Sequence, residues 1–330
     1  MSDGPHPLRQ ALWPLGLLYG CAAGFRNWLF DAKVKRIERL GAPVVSVGNL
    51  TVGGTGKTPT VAWLAALARG LGRRPGVLAR GYGRVPGAEL NDEGQMLARA
   101  MPWLLQQQDP DRVAAGRRLL AAGADFVILD DGFQHRRLHR DIDLLCLDAT
   151  APFGNGQCLP AGDLREWRSG LERASLVLLT RAGHLDGPAI AARIDRIREL
   201  AADEALPVFA CTHEPVELRG EPGGGALPLD ALRGQRAVLL SAIARPQSLR
   251  ATAEELGIEV AQELRFPDHH VYTEAEVAAA ATTAERASAV LLTTEKDDVK
   301  LAHFAIPRHV LAIGLRFLGD APTPAQVGLA

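Results

Sequence analysis

The run Val44-Val45-Ser46-Val47-Gly48-Asn49-Leu50-Thr51-Val52-Gly53-Gly54-Thr55-Gly56-Lys57-Thr58 constrains this chain more than any other segment. It reads as a buried strand, a glycine loop and a helix start. That order suits a polyphosphate: the glycines let consecutive backbone N–H groups turn toward one anion, and the helix adds its positive N-terminal end. Lys57 is placed to reach the terminal phosphates and Thr58 to offer a hydroxyl to Mg²⁺. Thr51, Val52, Gly53, Gly54, Thr55, Gly56, Lys57 and Thr58 are therefore the expected ATP-binding residues. Thr51 replaces the first glycine of the G-x-x-x-x-G-K-[ST] pattern, and Gly53 and Gly54 restore freedom inside the loop. Pro59 fits a first helical turn, where its missing N–H costs nothing, and an alanine-rich helix is expected from Val61 to Arg69. Gly81-Tyr82-Gly83 lacks the third glycine of a dinucleotide fingerprint and reads as a turn.

Around this loop, short apolar runs alternate with alanine-rich helical stretches. The runs are Val44 to Val47, Gly76 to Ala79, Phe126 to Asp130, Leu144 to Leu147 and Leu176 to Thr180. Such alternation means a parallel α/β sheet. A second set, Val208 to Cys211, Ala237 to Ser241 and Val290 to Thr294, with helical Ala278 to Ala287, predicts a smaller α/β unit. A chain of 330 residues exceeds the usual single core, so two domains and a cleft between them are expected. The loop from Leu218 to Leu229 is the sharpest composition break, which places the boundary near Pro207. The expected organisation is an N-terminal membrane-associated segment at 1–40, a P-loop NTPase-type kinase domain at 41–206 and a second α/β domain at 207–330.

The formal net charge is −1, so no global basic field exists to attract nucleic acid. Cys21, Cys146, Cys158 and Cys211 lie far apart with no C-x-x-C pair, which suggests neither a zinc site nor a disulfide framework and fits a reducing cytoplasm. Lysine is scarce: Lys33, Lys35, Lys57, Lys296 and Lys300 are all there are, against 37 basic residues.

Ala11 to Phe25 carries no charge, and Trp13, Tyr19, Phe25, Trp28 and Phe30 crowd into this part of the chain. Pro14, Gly16, Gly20 and Gly24 interrupt the run and Arg26 stops it, short of the roughly 20 apolar residues a span needs. Arg26, Lys33, Lys35, Arg36 and Arg39 outnumber Asp31 and Glu38, which favours an anionic surface. A monotopic, cytoplasm-facing anchor is the reading, with simple packing on the first domain as its alternative. The flanks do not suit a cleaved secretory signal.

Phe126-Val127-Ile128-Leu129-Asp130-Asp131 is an apolar strand ending in two acids, the arrangement by which P-loop proteins hold a metal near the γ-phosphate. Asp130 and Asp131 could instead cap a helix or make a turn with Gly132. Beside a phosphate loop, the Mg²⁺ reading is preferred.

Taken together, the segments resemble the tetraacyldisaccharide 4′-kinases, which phosphorylate the lipid A precursor. The resemblance is carried by the glycine loop through Pro59, by Arg80-Gly81-Tyr82-Gly83-Arg84, and by Asn91-Asp92-Glu93. It continues in Asp130-Asp131-Gly132-Phe133-Gln134-His135, Leu159-Pro160-Ala161-Gly162 with Leu164-Arg165-Glu166, Phe266-Pro267-Asp268-His269-His270 and Thr294-Glu295-Lys296-Asp297. It implies an ATP- and Mg²⁺-dependent kinase acting on the 4′-hydroxyl of an acylated glucosamine disaccharide 1-phosphate. Such an enzyme would work at the cytoplasmic face of the inner membrane, with no nucleic acid and no obligate protein partner. The resemblance makes Asp92 the residue that accepts the hydroxyl proton, assisted by His269 from the second domain. It makes Arg112 the phosphate clamp, with Arg117 and Arg118 as competitors, Glu166 a group that meets the metal directly or through one of its ligands, and Gln134 a further polar contact at the nucleotide.

From the residues alone, Asp92 is a helix N-terminal acid and His269-His270 a turn or metal pair. Two rival classes also carry such a loop. A membrane-associated regulatory ATPase of the partition type needs a second lysine before the paired glycines, where Val52 stands. A GTP-binding switch needs an Asn-Lys-x-Asp reader, which Leu179-Thr180-Arg181-Ala182 is not.

Overall fold

The computed structural model describes residues 11–84 and 87–329; residues 1–10 of the expected N-terminal segment lie outside them. In chain order the elements are α1 (Trp13–Asp31), β1 (Val44–Gly48), α2 (Lys57–Gly70), β2 (Pro75–Ala79), α3 (Asp92–Ala100), β3 (Leu105–Gln108) and α4 (Arg112–Ala121). They continue with β4 (Phe126–Asp130), β5 (Ile142–Asp148), β6 (Leu176–Thr180), α5 (Gly187–Ala201), β7 (Val208–Glu221), β8 (Ala226–Leu227) and β9 (Arg236–Ser241). The last are α6 (Pro246–Glu255), β10 (Glu259–Arg265), α7 (Glu274–Arg286), β11 (Val290–Thr294), α8 (Glu295–Lys300) and β12 (Arg308–Phe317).

The chain divides into two compact units, each discontinuous. The first holds Met1–Arg80, Leu104–His213 and Leu315–Ala330, and the second Gly81–Trp103 and Glu214–Gly314. A single boundary near Pro207 is thus replaced by crossings in two loops and inside β7 and β12. The glycine-rich stretch that suggested a linker is the turn of a hairpin, with Leu218 opposite Leu227.

In the first unit the strand order is β3-β2-β4-β1-β5-β6-β7. All pairings along it are parallel, for example Val45 opposite Ile128 and Val47 opposite Leu144. Every residue of β1, β2 and β6 is buried, as expected of parallel strands covered by helices on both faces. One face is sealed by Leu78, Val113, Leu119, Val127 and Leu138, another by Leu50, Phe133, Leu147, Leu171 and Leu179. The loops leaving the carboxyl ends of β1 and β4 are the phosphate loop and the Asp-Asp segment, where ligands of open α/β sheets bind.

α1 lies on this unit through its glycines. A Cβ on Gly20 would fall within 2.4 Å of the Trp167 ring, and one on Gly16 within 2.8 Å of the Cys158 carbonyl oxygen. Asn27 and Phe30 are buried on the same face. Trp13, Leu15, Leu18, Phe25 and Trp28 are exposed, Leu18 by 67%. Among the described residues no helix is long and apolar enough to cross a membrane.

In the second unit, β10, β9, β11 and β12 run parallel in that order, β7 follows, and β7 pairs antiparallel with the short β8. The sheet is therefore mixed but mostly parallel. The segment carrying α3 is held here by a buried ion cluster: Arg99 donates to Asp298 at 2.8 Å, and Arg308 and Arg219 converge on the same fully buried carboxylate. Asp92 thus belongs to the unit of His269, rather than to the phosphate-loop domain as the sequence boundaries had it. α7 opens with a capping box, Thr273 and Glu276 each satisfying the other's backbone N–H.

Candidate active site

β1 delivers the chain to the loop fully buried, and the loop is then pinned on both sides. The Asn49 side chain donates to the Thr51 carbonyl at 2.5 Å, and the Val52 N–H donates to the Asp163 carbonyl at 2.8 Å. Gly53 has φ 100° and Gly56 φ 85°, left-handed values that favour glycine. A Cβ at Gly56 would strike the His213 ring at 2.5 Å, whereas one at Gly53 would meet nothing, so the loop is tight at its base and open at its crown. α2 starts at Lys57 with no side-chain cap and no acid in its first turn, which leaves its positive end unneutralised. The Thr55 hydroxyl is buried without a hydrogen-bond partner among the described residues. An open crown, an uncapped helix end and an orphaned donor are what a phosphate group would satisfy.

The Asp-Asp segment is wedged beside this loop. Gly48 sits so close to Phe133 that a Cβ there would lie 2.5 Å from the Phe133 Cβ, and Phe133 is fully buried with the Arg173 guanidinium 4.6 Å from its ring centre. Asp131, at φ 51°, faces Lys57 Nζ at 3.4 Å and accepts from Arg165 at 2.7 and 2.8 Å. Burial works against its ionisation, but the Lys57 and Arg165 cations outweigh that and hold its carboxyl below the usual range. Asp130 ends β4 in register with Val47. Thr58 and Asp130 carry oxygen atoms of the hard type that Mg²⁺ prefers. Among the described residues no group of three or more His, Cys, Asp or Glu gathers as a metal cage.

Arg112 begins α4 and is only 7% exposed, with its Nε buried and without a hydrogen-bond partner among the described residues. Burial and the neighbouring Arg80 cation lower its proton affinity, and Asp131 and Asp130 oppose them. Its competitors point elsewhere: Arg117 pairs with Glu38 at 2.9 Å and Arg118 with Asp109 at 2.7 Å, both exposed. His135 is held down to about 4 by burial and by Arg112, Arg140 and Arg137. Gln134 donates to the Asn49 carbonyl at 3.0 Å and to Glu166 at 2.9 Å. Glu166, expected at the metal, is instead a buried hub: it also accepts from Asn27 at 2.6 Å and from Arg173 at 2.9 Å on both oxygens. In this arrangement its lone pairs are engaged by cations and amides, and a metal contact would require exchanging one of them.

The second unit brings the other candidates together. Asn91 takes over the capping of α3, accepting from the Gly94 N–H at 3.0 Å, and the Asp92 carboxylate meets His269 Nδ1 at 3.3 Å. His269 has φ 63°, and its backbone N–H donates to Asp268 Oδ1 at 3.1 Å. Its neighbour His270 is locked: it stacks on Phe266 at 4.7 Å and holds the Glu276 carboxylate at 3.0 Å. Two contacts escaped the sequence reading, Arg165 on Asp131 and Lys296 beside His269. Both residues stand in segments already noted, and lysine scarcity was a hint for the second.

A sequence profile of the family described as Tetraacyldisaccharide-1-P 4′-kinase matches residues 8–326. The chain belongs to this family. Among its relatives, the tetraacyldisaccharide 4′-kinase of Anaeromyxobacter sp. (strain K) is 42% identical over 88% of this chain and 85% of its own. That of Syntrophus aciditrophicus is 38% identical over 94% and 90%. In structure, the family member resembles LpxK from Aquifex aeolicus, described as an "apo" form in complex with ATP, with a TM-score of 0.73 and 30% identity, covering 94% of this chain and 95% of that one.

Proposed function

We propose that the chain transfers the γ-phosphoryl group of ATP to the 4′-hydroxyl of a tetraacylated glucosamine disaccharide 1-phosphate, the lipid A precursor. The observation that carries this reading is the Asp92–His269 pair, a base and its orienting partner, in a chain that also holds an open, uncapped phosphate loop. Family membership argues against the regulatory ATPase, and Val52 stands where that class needs lysine.

Residues Thr51 to Thr58 hold the triphosphate through backbone N–H groups and the α2 end. Lys57 and Arg112 stabilise the negative charge that builds on the transferring group, and Asp131 with Arg165 keeps Lys57 aimed. Thr58 and Asp130 would hold Mg²⁺, which supplies charge neutralisation on the phosphate oxygens. Asp92 takes the proton of the sugar hydroxyl as its oxygen bonds to the γ-phosphorus. The bond from that phosphorus to the bridging oxygen breaks, and ADP leaves with the electron pair. A positioned base of this kind contributes roughly 10²- to 10⁴-fold. His269 holds the Asp92 carboxylate in place.

The exposed face of α1 carries the enzyme to its substrate. Acyl chains keep the disaccharide in the bilayer, each buried CH₂ contributing about 0.8 kcal/mol, so catalysis happens at the surface. The exposed Trp13, Leu15, Leu18, Phe25 and Trp28 supply the apolar face for such peripheral contact, which this reading assigns to the cytoplasmic side of the inner membrane.

The test is direct. Detergent-solubilised chain with labelled ATP and Mg²⁺ should phosphorylate tetraacyldisaccharide 1-phosphate and leave ATP intact when the lipid is omitted. Acceptor-independent hydrolysis at the same rate would return the assignment to the regulatory ATPase class.

A further inference from the structure

Lys296 is the second residue of α8, and its ammonium lies 3.4 Å from His269 Nε2, 2.9 Å from Asp268 Oδ1 and 3.7 Å from Glu93 Oε1. On the opposite side of the ring, His269 Nδ1 lies 3.3 Å from Asp92 Oδ2. An ammonium group only donates, so the 3.4 Å contact is a hydrogen bond only when Nε2 accepts and the ring proton sits on Nδ1, where it points at the Asp92 carboxylate. Without Lys296 the balance reverses. Asp268 Oδ2 lies 3.7 Å from Nε2, so it would draw the proton to Nε2 and leave Nδ1 as a lone pair against a carboxylate. Lys296 satisfies Asp268 and takes the Nε2 lone pair at once.

We propose that Lys296 is a positioning residue that fixes His269 as its Nδ1–H tautomer and so keeps Asp92 oriented as the base. The charged groups facing the ring are Asp92, Asp268 and Lys296, with Glu93 behind the ammonium. Lys296 touches neither substrate nor reacting atoms in this assignment. Asp92 Oδ2 stays occupied by the imidazole N–H, and Oδ1 is the oxygen that receives the acceptor's proton. The proposal rests on the kinase reading for its catalytic consequence, although the tautomer itself does not.

The experiment uses the full chain labelled with ¹⁵N-histidine, with His269→Asn to assign the ring. Long-range proton–nitrogen correlation on the wild type should show the proton on Nδ1; a proton on Nε2 overturns the proposal without any variant. In Lys296→Met the ring should shift to a mixture or to Nε2–H, kcat should fall about 10- to 100-fold with KM for ATP unchanged, and Lys296→Arg should recover most of both signals. An unchanged tautomer in Lys296→Met, or Lys296→Arg no better than Lys296→Met, makes the lysine merely structural. A wild-type chain with Nδ1–H that transfers no phosphate removes the kinase reading and leaves the tautomer assignment standing.

Discussion

At the scale of single residues, the proposed kinase reading puts turnover on the charges around Lys57. Lys57→Ala removes the cation proposed to meet the terminal phosphates and leaves Asp131 to Arg165 alone, so kcat should fall by about 10²-fold or more in a labelled-ATP assay while the fold survives. His135 governs stability instead. Its folded-state value, about 4, lies below the ordinary 6.5, so the unfolded chain binds the extra proton first as the solution is acidified. Stability attached to His135 is therefore full above about pH 6.5 and drains away between there and pH 4, by roughly 1–3 kcal/mol given its partial access to solvent. Urea melts at pH 7 and pH 5 should show that loss in the wild type and a smaller one in His135→Gln. Lys57 and Asp131 stand in compact motifs that can be read from the chain, whereas Asp92 and His269 read locally as a helix-start acid and a turn, and only the family resemblance singled them out. Arg165 and Lys296 could not be given roles, because their partners lie far away in the chain and no local spacing encodes such a meeting.

At the scale of elements, α1 is the clearest case of a double-faced design. Its glycines face the protein, and Gly20 leaves no room for a side chain against Trp167. Gly20→Val should lift the helix from the unit and cost about 1–3 kcal/mol in a chemical melt. Replacing Leu18, Phe25 and Trp28 by serine changes only the outward face, and should move the protein from the vesicle pellet to the supernatant with its melting curve unchanged. Pelleting that persists would mean that this face is not the anchor. The strands with β-branched or leucine-rich runs, β1, β2, β4, β5, β6, β9 and β11, were readable because both faces are buried. β3 was not: Leu105–Gln108 is a half-buried edge strand with three glutamines, and polar side chains at a sheet edge carry no apolar period. β10 fails for a similar reason, with Glu259, Glu263 and Arg265 exposed to varying degrees along a sheet edge.

At the scale of the molecule, sequence order and spatial grouping part company. The α/β class and the phosphate loop were legible, since both are local, but the assignment of Gly81–Trp103 to the second unit was not, because it depends on the meeting of Arg99 with Asp298. Arg99→Met should therefore reduce transfer to the lipid, through loss of the α3 anchorage that places Asp92, and leave ATP affinity at the first unit as it was. Equilibrium nucleotide titration beside a transfer assay checks both halves. The return of the chain after β12 has one more effect. Gly328 lies 3.4 Å from Ile142 and Val45 by its would-be Cβ, and Val327 is fully buried, so the stretch after residue 315 closes over the central strands of the nucleotide-binding sheet. A ribosome that has made every motif through Lys296 still holds an unfinished sheet. A chain cut before residue 315 loses this cover over Val45 and Ile142 and is expected to lose nucleotide binding in an equilibrium titration.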